Sequence, residues 1–382
     1  MSINSNNILV TGGAGYIGSH IVELLIKLKA KVFIYDNLST GYKKLINKKA
    51  KFIKGDIKNF KDLSLIINKN RIHSIIHLAA YLNINEGEKN KKKYFKNNVG
   101  GTLNLVKACN NNSVKNIIFS SSCSIYGNKK NSVNEKTKPK PKSYYAFTKF
   151  KSEEIIKKYS KKFKYKYGIL RYFNVAGASK SGKIGEVEKS HGHLIKNIAI
   201  QSQKAKPQIN VYGNDYNTKD GTCVRDYIHI MDLAEIHLKI LKNISISKKS
   251  LILNCGYGKG YSVQEIIEVF KKLKKNVKVK YKKRRPRMLA YMHTCTHACM
   301  HTCMDSYTRS CVHIHARMQS CTHTRIHAHM MSHSIAYHTI AYHNATRLHA
   351  CMHACPHTRT RARACLHASA RTRAHTRVYM HT

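Results

Sequence analysis

No run of 18 apolar residues occurs anywhere in the 382-residue chain, which excludes a membrane-spanning helix. Tryptophan is absent too, yet an apolar fraction of 42% is enough for two ordinary domains with buried cores. The opening Met1-Ser2-Ile3-Asn4-Ser5-Asn6-Asn7 lacks a charged leader region and a small-residue cleavage site, so no secretory signal is expected and the expected location is cytoplasmic. Acids are scarce: 19 Asp and Glu stand against 69 Lys and Arg, a formal charge of +50. That excess suggests a nucleic-acid partner, but its distribution argues otherwise. Up to Arg287 the lysines are scattered among Asn and Ile, as at Lys48-Lys49, Lys91-Lys92-Lys93 and Lys129-Lys130. Lys, Asn and Ile share A/T-rich codons, and the pattern suits solvated faces of a compositionally biased chain. Basic stripes interleaved with aromatics, the kind that stack bases, are missing. Neither nucleic acid nor a membrane is an expected partner.

Lysine ends at Lys283 and glycine at Gly260, and past Arg287 a single acid remains, Asp305. In their place come 17 of the 24 histidines and 8 of the 12 cysteines. Stretches such as His349-Ala350-Cys351-Met352-His353-Ala354-Cys355 recur with a period of four. The tetranucleotide ATGC read in triplets yields Met-His-Ala-Cys, so residues 288–382 resemble a translated simple-sequence repeat. Such a segment offers no coherent apolar face and is expected to be disordered. The alternative is zinc, because His293, His297 and His301, or Cys295, Cys299 and Cys303, fall at i, i+4 spacing. No set has a closed finger spacing, so no metal is expected. The other four cysteines, Cys109, Cys123, Cys223 and Cys255, lie in apolar segments and suit a reducing compartment.

The front of the chain carries chemistry. Ile8-Leu9-Val10 reads as a strand, followed by Thr11-Gly12-Gly13-Ala14-Gly15-Tyr16-Ile17-Gly18, and Ser19 to Lys29 has apolar residues at helical spacing. In this strand–loop–helix, Gly12 permits the tight turn, Gly15 admits a pyrophosphate to the backbone N–H groups, and Gly18 allows close helix–strand packing. A second strand, Lys31-Val32-Phe33-Ile34-Tyr35, ends in Asp36, whose carboxylate can accept from ribose hydroxyls and repels a 2′-phosphate. NAD is therefore the expected cofactor. Gly55-Asp56-Ile57 offers an acid for the adenine amine. Leu78-Ala79-Ala80, after the strand containing His77, and Ser120, after Phe119, mark strand ends where parallel sheets bind ligands. His77 itself is read as a packed strand residue.

Past that strand end, Ser120-Ser121-Ser122-Cys123-Ser124 is followed by Tyr145 and Lys149, one helical turn apart and on one face. An ammonium beside the phenol, with a positive nicotinamide nearby, is expected to lower the Tyr145 pKa and make it a general base toward a sugar hydroxyl.

With these residues in place, the chain resembles the extended short-chain dehydrogenase/reductases, and within them the UDP-glucose 4-epimerase family. The passages that carry the resemblance are Thr11 to His20, Asn97-Asn98-Val99, Ser120 to Gly127, Arg171-Tyr172-Phe173-Asn174, and the run from Tyr212-Gly213-Asn214-Asp215-Tyr216 through Val224-Arg225-Asp226-Tyr227 to Asp232-Leu233-Ala234. The similarity spans about residues 7–287. It implies an α/β fold with a Rossmann-type doubly wound parallel sheet in residues 1–175. A smaller, truncated UDP-sugar domain follows in 176–287, part of it returning to the first, and then the tail 288–382. It implies NAD contacts from Gly12, Gly15, Tyr16, Ile17, Gly18, Asp36, Asn37, Asp56, Ile57, Leu78, Ala79, Ala80, Asn97, Ser120, Tyr145, Lys149 and Phe173. It implies Ser122 on the substrate's 4-oxygen, with Tyr145, Asn174, His193, Leu194, Tyr212, Arg225 and Arg285 completing the UDP-sugar site. A homodimer is also implied.

The chain departs from the family in three places. Leu82 stands where some members have a lysine, and His193 and Lys196 replace the commoner Asn-or-Thr and Pro. Arg287-Met288 stands where Gly-Asp follows Arg-Arg-Pro. The resemblance implies interconversion of UDP-glucose and UDP-galactose. The alternatives are a C-terminally truncated inactive NAD-binding pseudoenzyme, or another NAD-dependent nucleotide-sugar epimerase or dehydratase. Against a dehydratase, Cys123 and Ser124 replace the acid and base needed to eliminate water.

Overall fold

The computed structural model describes residues 6–110, 114–128, 132–187, 193–273, 277–284 and 291–292. In chain order the elements of its first half are β1 (Asn7–Thr11), α1 (Tyr16–Lys27), β2 (Lys31–Asp36), β3 (Lys51–Lys54), α2 (Phe60–Lys69), β4 (Ser74–His77), α3 (Ile84–Lys89), α4 (Lys91–Tyr94) and α5 (Gly101–Ala108). Then come β5 (Asn116–Ser122), α6 (Tyr144–Phe163), β6 (Lys166–Tyr172), β7 (Asn174–Ala176), α7 (Leu194–Ser202) and β8 (Gln208–Tyr212). The last are β9 (Val224–His229), α8 (Ile230–Ser247), β10 (Leu251–Cys255), β11 (Gly260–Ser262), α9 (Val263–Leu273), β12 (Lys278–Lys282) and β13 (Tyr291–Met292).

Seven strands form one sheet in the order β3-β2-β1-β4-β5-β6-β10, with every neighbouring pair parallel. The fold is the doubly wound α/β arrangement expected from the sequence. Strand order reverses between β1 and β4, which places a crevice at their carboxyl ends. The central strands are nearly continuous in apolar residues because both sheet faces are covered. Ile8 and Val10 of β1 join a core with Ile21, Val22 and Leu25 of α1 and Leu233, Ile240 and Leu241 of α8. Leu9 points the other way, into a core with Leu63 and Ile67 of α2, Leu105 of α5 and Ile156 of α6. The seventh strand comes late: β10 pairs with β6 from Leu251↔Gly168 to Cys255↔Tyr172.

A smaller layer is built around β9, which pairs with β11 antiparallel and with β7 and β13 in parallel. β8 and β12 form a parallel pair from Gln208↔Lys278 to Tyr212↔Lys282. Ile198, Ile209, Val211, Ile266, Ile267 and Phe270 are the core of this layer. Within the segment read from sequence as a featureless tail, Tyr291 and Met292 lie beside Val224 and Arg225 as β13. The remaining tail residues, including the histidines and cysteines considered for zinc, lie outside the described residues. Among the described residues no cluster could hold a metal ion and no helix is long and apolar enough to cross a membrane.

Candidate active site

The crevice is lined first by the glycine loop. Gly12 has φ +74°, and a Cβ there would sit 2.8 Å from the Ala79 nitrogen. A Cβ on Gly18 would overlap the Gly12 carbonyl oxygen and lie 2.7 Å from Gly13 Cα. The loop thus tolerates no side chain where β1, β4 and α1 converge. α1 starts at Tyr16, three residues earlier than the apolar spacing indicated, with Gly15 as an N-cap that makes no side-chain bond and no acid in the first turn. Its first-turn N–H groups have neither a capping side chain nor a carboxylate to satisfy them, which suits an anion. The Tyr16 hydroxyl donates to the Gly177 carbonyl at 2.7 Å, tying the helix start to the chain after β7.

Asp36 closes β2. Its Oδ2 accepts from Ala14 N at 3.0 Å and its Oδ1 from Leu38 N at 2.8 Å. Burial pushes its pKa up, against the pull of those two N–H groups. The carboxylate keeps lone pairs for two hydroxyl donors and cannot donate to a phosphate. Asn37 and Asp56 are brought together, with Asn37 Nδ2 donating to Asp56 Oδ2 at 3.0 Å. Ile57 is buried against Gly101, where any Cβ would clash with it. Leu78 N donates to Thr11 O at 3.0 Å, so the Leu78-Ala79-Ala80 turn lies against the loop. Asn97 is buried before α5 and donates to Asn98 Oδ1 at 3.0 Å. Phe173 is buried with Cys123, Ile125 and Tyr126. Apart from Ile17, half-buried on α1, and the strand-end residues below, these complete the expected cofactor set.

The second wall comes from β5 and α6. Ser143 caps α6 through Ala146 N at 3.2 Å, and the helix presents Tyr145, Lys149 and Glu153 at i, i+4, i+8 on one face. Lys149 is 2% exposed; its Nζ donates to Ser120 O at 2.7 Å and lies 5.0 Å from the centroid of the Phe119 ring. Ser122 Oγ accepts from Ser124 N at 3.2 Å, lies 2.9 Å from Ser124 Oγ, and is hydrogen-bonded to the Tyr145 phenol. The three residues expected to do chemistry therefore share one spot. Burial pushes the Tyr145 phenol well above its usual pKa, the Ser122 bond pulls it back, and the Cys123 thiol pushes it further up. The low phenol pKa expected from the Tyr145/Lys149 spacing is not a property of these protein groups alone. Burial brings Lys149 down to about 7, opposed by Glu153.

Some of the site was not read from the sequence. His77 lies beside Thr11 in register and bonds Thr11 Oγ1 through Nδ1 at 2.7 Å and Thr102 Oγ1 through Nε2 at 3.1 Å. Thr102 gives its own proton to Asn98 O at 2.6 Å, so His77 donates from Nε2 and accepts at Nδ1. Tyr172, bonded to Ser120, also pairs with His237 Nε2. Glu153 holds Arg171 through two bonds, at 3.0 and 2.8 Å. Of these, only Glu153 carried a usable signal, its helical spacing from Lys149.

The substrate-side residues are more dispersed. Asn174 on β7 donates to Asp226 O at 3.0 Å, beside Arg225 on β9. The Arg225 Nη1 donates to Val224 O at 2.7 Å. Leu194 opens α7 and Tyr212 ends β8, in the smaller layer. His193 precedes α7 and bonds Glu186 Oε1 at 2.9 Å. Arg285 lies outside the described residues; its neighbour Arg284 bonds Asp215 at 2.6 Å and stacks 4.3 Å from the centre of the Tyr216 ring. Burial pushes the Cys123 thiol far up, with Asp226 adding to the rise and Arg225 opposing it.

Residues 8–256 match the family described as the NAD dependent epimerase/dehydratase family. The chain is 43% identical over 267 residues to UDP-glucose 4-epimerase of Lactobacillus helveticus, covering 70% of this chain and 81% of that one. It superposes on UDP-glucose 4-epimerase from Brucella ovis in complex with NAD with TM-score 0.71 at 36% identity, covering 76% of this chain and 89% of that one. The UDP-Glc/GlcNAc 4-epimerase from Campylobacter jejuni gives TM-score 0.65 at 34% identity, covering 76% and 90%.

Proposed function

Because the chain belongs to the NAD-dependent epimerase/dehydratase family, we propose that it interconverts UDP-glucose and UDP-galactose by oxidising and re-reducing C4. The observation that carries this reading is the hydrogen bond between Ser122 and Tyr145 beside a buried Lys149. Ser122 orients the sugar's 4-hydroxyl and Tyr145 takes its proton, a general-base step worth roughly a hundred- to ten-thousandfold. Lys149, anchored on the Ser120 carbonyl, supplies positive charge that favours the phenolate. NAD, when bound, supplies the hydride acceptor and then the donor at C4. The uncapped start of α1 would hold its pyrophosphate, Asp36 its ribose, and the Asn37–Asp56 pair its adenine. The half-cycle reverses once the sugar presents its other face, with Tyr145 returning the proton. The Cys123-Ser124 pair has no acid or base suited to eliminating water, which disfavours a dehydratase: burial pushes the Cys123 thiol far up.

In this reading residues 1–175 hold the cofactor, and Asn174, His193, Leu194, Tyr212, Arg225 and Arg285 hold the nucleotide sugar from the second part. A homodimer belongs to the same reading, and gel filtration tests it. A second reading, NAD binding without turnover, is favoured by Arg287-Met288 standing where the family resemblance implies Gly-Asp. The deciding experiment is a coupled assay of UDP-galactose conversion with Tyr145→Phe as control. Turnover that falls on the order of a hundredfold, with NAD still bound, supports the epimerase. Undiminished turnover in the Phe variant removes Tyr145 from the mechanism, and NAD binding without turnover in the parent chain selects the second reading.

A further inference from the structure

Beneath the reacting groups lies an ion pair that the mechanism above does not use. Glu153 is fully buried one turn beyond Lys149, and Arg171 on β6 is 2% exposed. The carboxylate accepts from Arg171 Nε at 3.0 Å, from Arg171 Nη2 at 2.8 Å and from Ser121 Oγ at 2.5 Å. Arg171 Nη1 goes on to the Tyr126 hydroxyl at 2.8 Å. Such a buried pair is weak evidence for stability, since apolar residues of similar volume often do as well. Its position suggests a different use. Lys149 lies against the Ser120 carbonyl and the Phe119 ring and near His77, which is neutral because burial and Lys149 hold it near 3. The Glu153 carboxylate stands at i, i+4 from Lys149 on the same buried face of α6, where it opposes the drive of burial toward the neutral amine. Facing Glu153 are Arg171 and Tyr167 from β6, Ser121 from β5, and Lys157 from α6, whose Nζ lies 3.7 Å away at the surface.

We infer that Glu153 is a positioning residue for the reaction: held in place by Arg171, its negative charge keeps the Lys149 ammonium charged beneath Tyr145. Only the effect on turnover rests on the epimerase reading; the charge on Lys149 is a property of the chain. The test is a pH titration of the full chain labelled with 13C at lysine Cε, with Lys149 assigned by Lys149→Met. In Glu153→Gln the Lys149 midpoint falls by about one unit or more, as expected for loss of a nearby opposite charge. In Glu153→Asp, which keeps the charge, it returns most of the way to the parent value. If Glu153→Gln does not fold, Glu153→Gln/Arg171→Met removes both buried charges, and its midpoint also falls, by less. In an active chain the pH profile of kcat for Glu153→Gln narrows. Its alkaline limb moves down as Lys149 loses its proton earlier, and its acid limb moves up as Tyr145 loses its cation. A folded variant with lowered thermal stability and an unchanged Lys149 midpoint overturns the inference. Absence of turnover in every variant with a shifted midpoint instead counts against the epimerase reading alone.

Discussion

Two of the buried histidines, His77 and His237, make the fold sensitive to acid. His77 is 1% exposed and bonded to Thr11 and Thr102; His237 is 0% exposed, bonded to Tyr172 and through Nδ1 to Leu233 O at 2.8 Å. Burial lowers His77 from 6.5 to about 3, with the Lys149 charge adding to the shift, and lowers His237 to about 4. Both folded-state values lie below the unfolded ones, so the unfolded chain binds more protons at intermediate pH. The stabilisation is complete above pH 6.5 and is lost as pH falls toward the folded values. The slope is about 1.4 kcal/mol per pH unit per group, so moving from pH 7.5 to 5 costs roughly 2 kcal/mol for each histidine and about 4 kcal/mol for both. Urea unfolding at the two pH values measures it. His237→Phe keeps an aromatic ring in the place of the imidazole and leaves Tyr172 its bond to Ser120. That variant loses the roughly 2 kcal/mol of pH dependence that His237 contributes. A pH dependence as steep in His237→Phe as in the parent would refute the reasoning, because His237 would then not titrate on unfolding.

The other predictions concern the cofactor loop and the C-terminal segment. Gly18→Ala places a methyl group on the Gly12 carbonyl and 2.7 Å from Gly13 Cα, neither of which can swing aside. NAD affinity by calorimetry drops at least about tenfold and the protein is destabilised by roughly 1–3 kcal/mol; parent-like affinity would contradict the tight loop. The parent prefers NAD to NADP, and Asp36→Ser narrows that preference by removing the carboxylate that a 2′-phosphate would face; equal affinities in the parent would exclude the assignment. Deleting residues 288–382 leaves NAD affinity unchanged but speeds amide hydrogen exchange on β9 around Val224 and Arg225, where β13 pairs; unchanged exchange there would show that the pairing contributes nothing.

The cofactor half of the site was legible because its signals are local. A strand, three glycines, a helix and an acid at the next strand end occupy residues 8–36, and Tyr145 and Lys149 sit one helical turn apart. The start of α1 was read three residues late because apolar periodicity begins at Ile21, whereas the helix is nucleated at Gly15, where no side chain signals a cap. What the sequence hid depends on register and on distant partners. His77 meets Thr11 only because β1 and β4 align those two positions, 66 residues apart. Tyr172 meets His237 because α8 returns to the large sheet, and Arg171 meets Glu153 because β6 lies under α6. Spacing shows which charges can be near Tyr145, whereas burial, which pushes its phenol up when only protein groups surround it, appears only in the packed fold.

The break in composition at residue 288 does not weigh equally on the two walls of the crevice. The glycine loop, Asp36 and the Ser122/Tyr145/Lys149 group rest on β1, β2, β5 and α6, whose cores are closed by α1, α2, α5 and α8. Among the described residues, those cores draw on nothing past Tyr257. β9 is different. β11 pairs beside Val224 to Asp226, β13 beside Val224 and Arg225, and β7 beside Tyr227 to His229. The C-terminal segment therefore pairs with β9 at Arg225, which Tyr261 of β11 faces from the other strand. In the proposed epimerase reading, a changed C-terminus therefore bears first on β9 and Arg225, and only second on the glycine loop and the Ser122/Tyr145/Lys149 group.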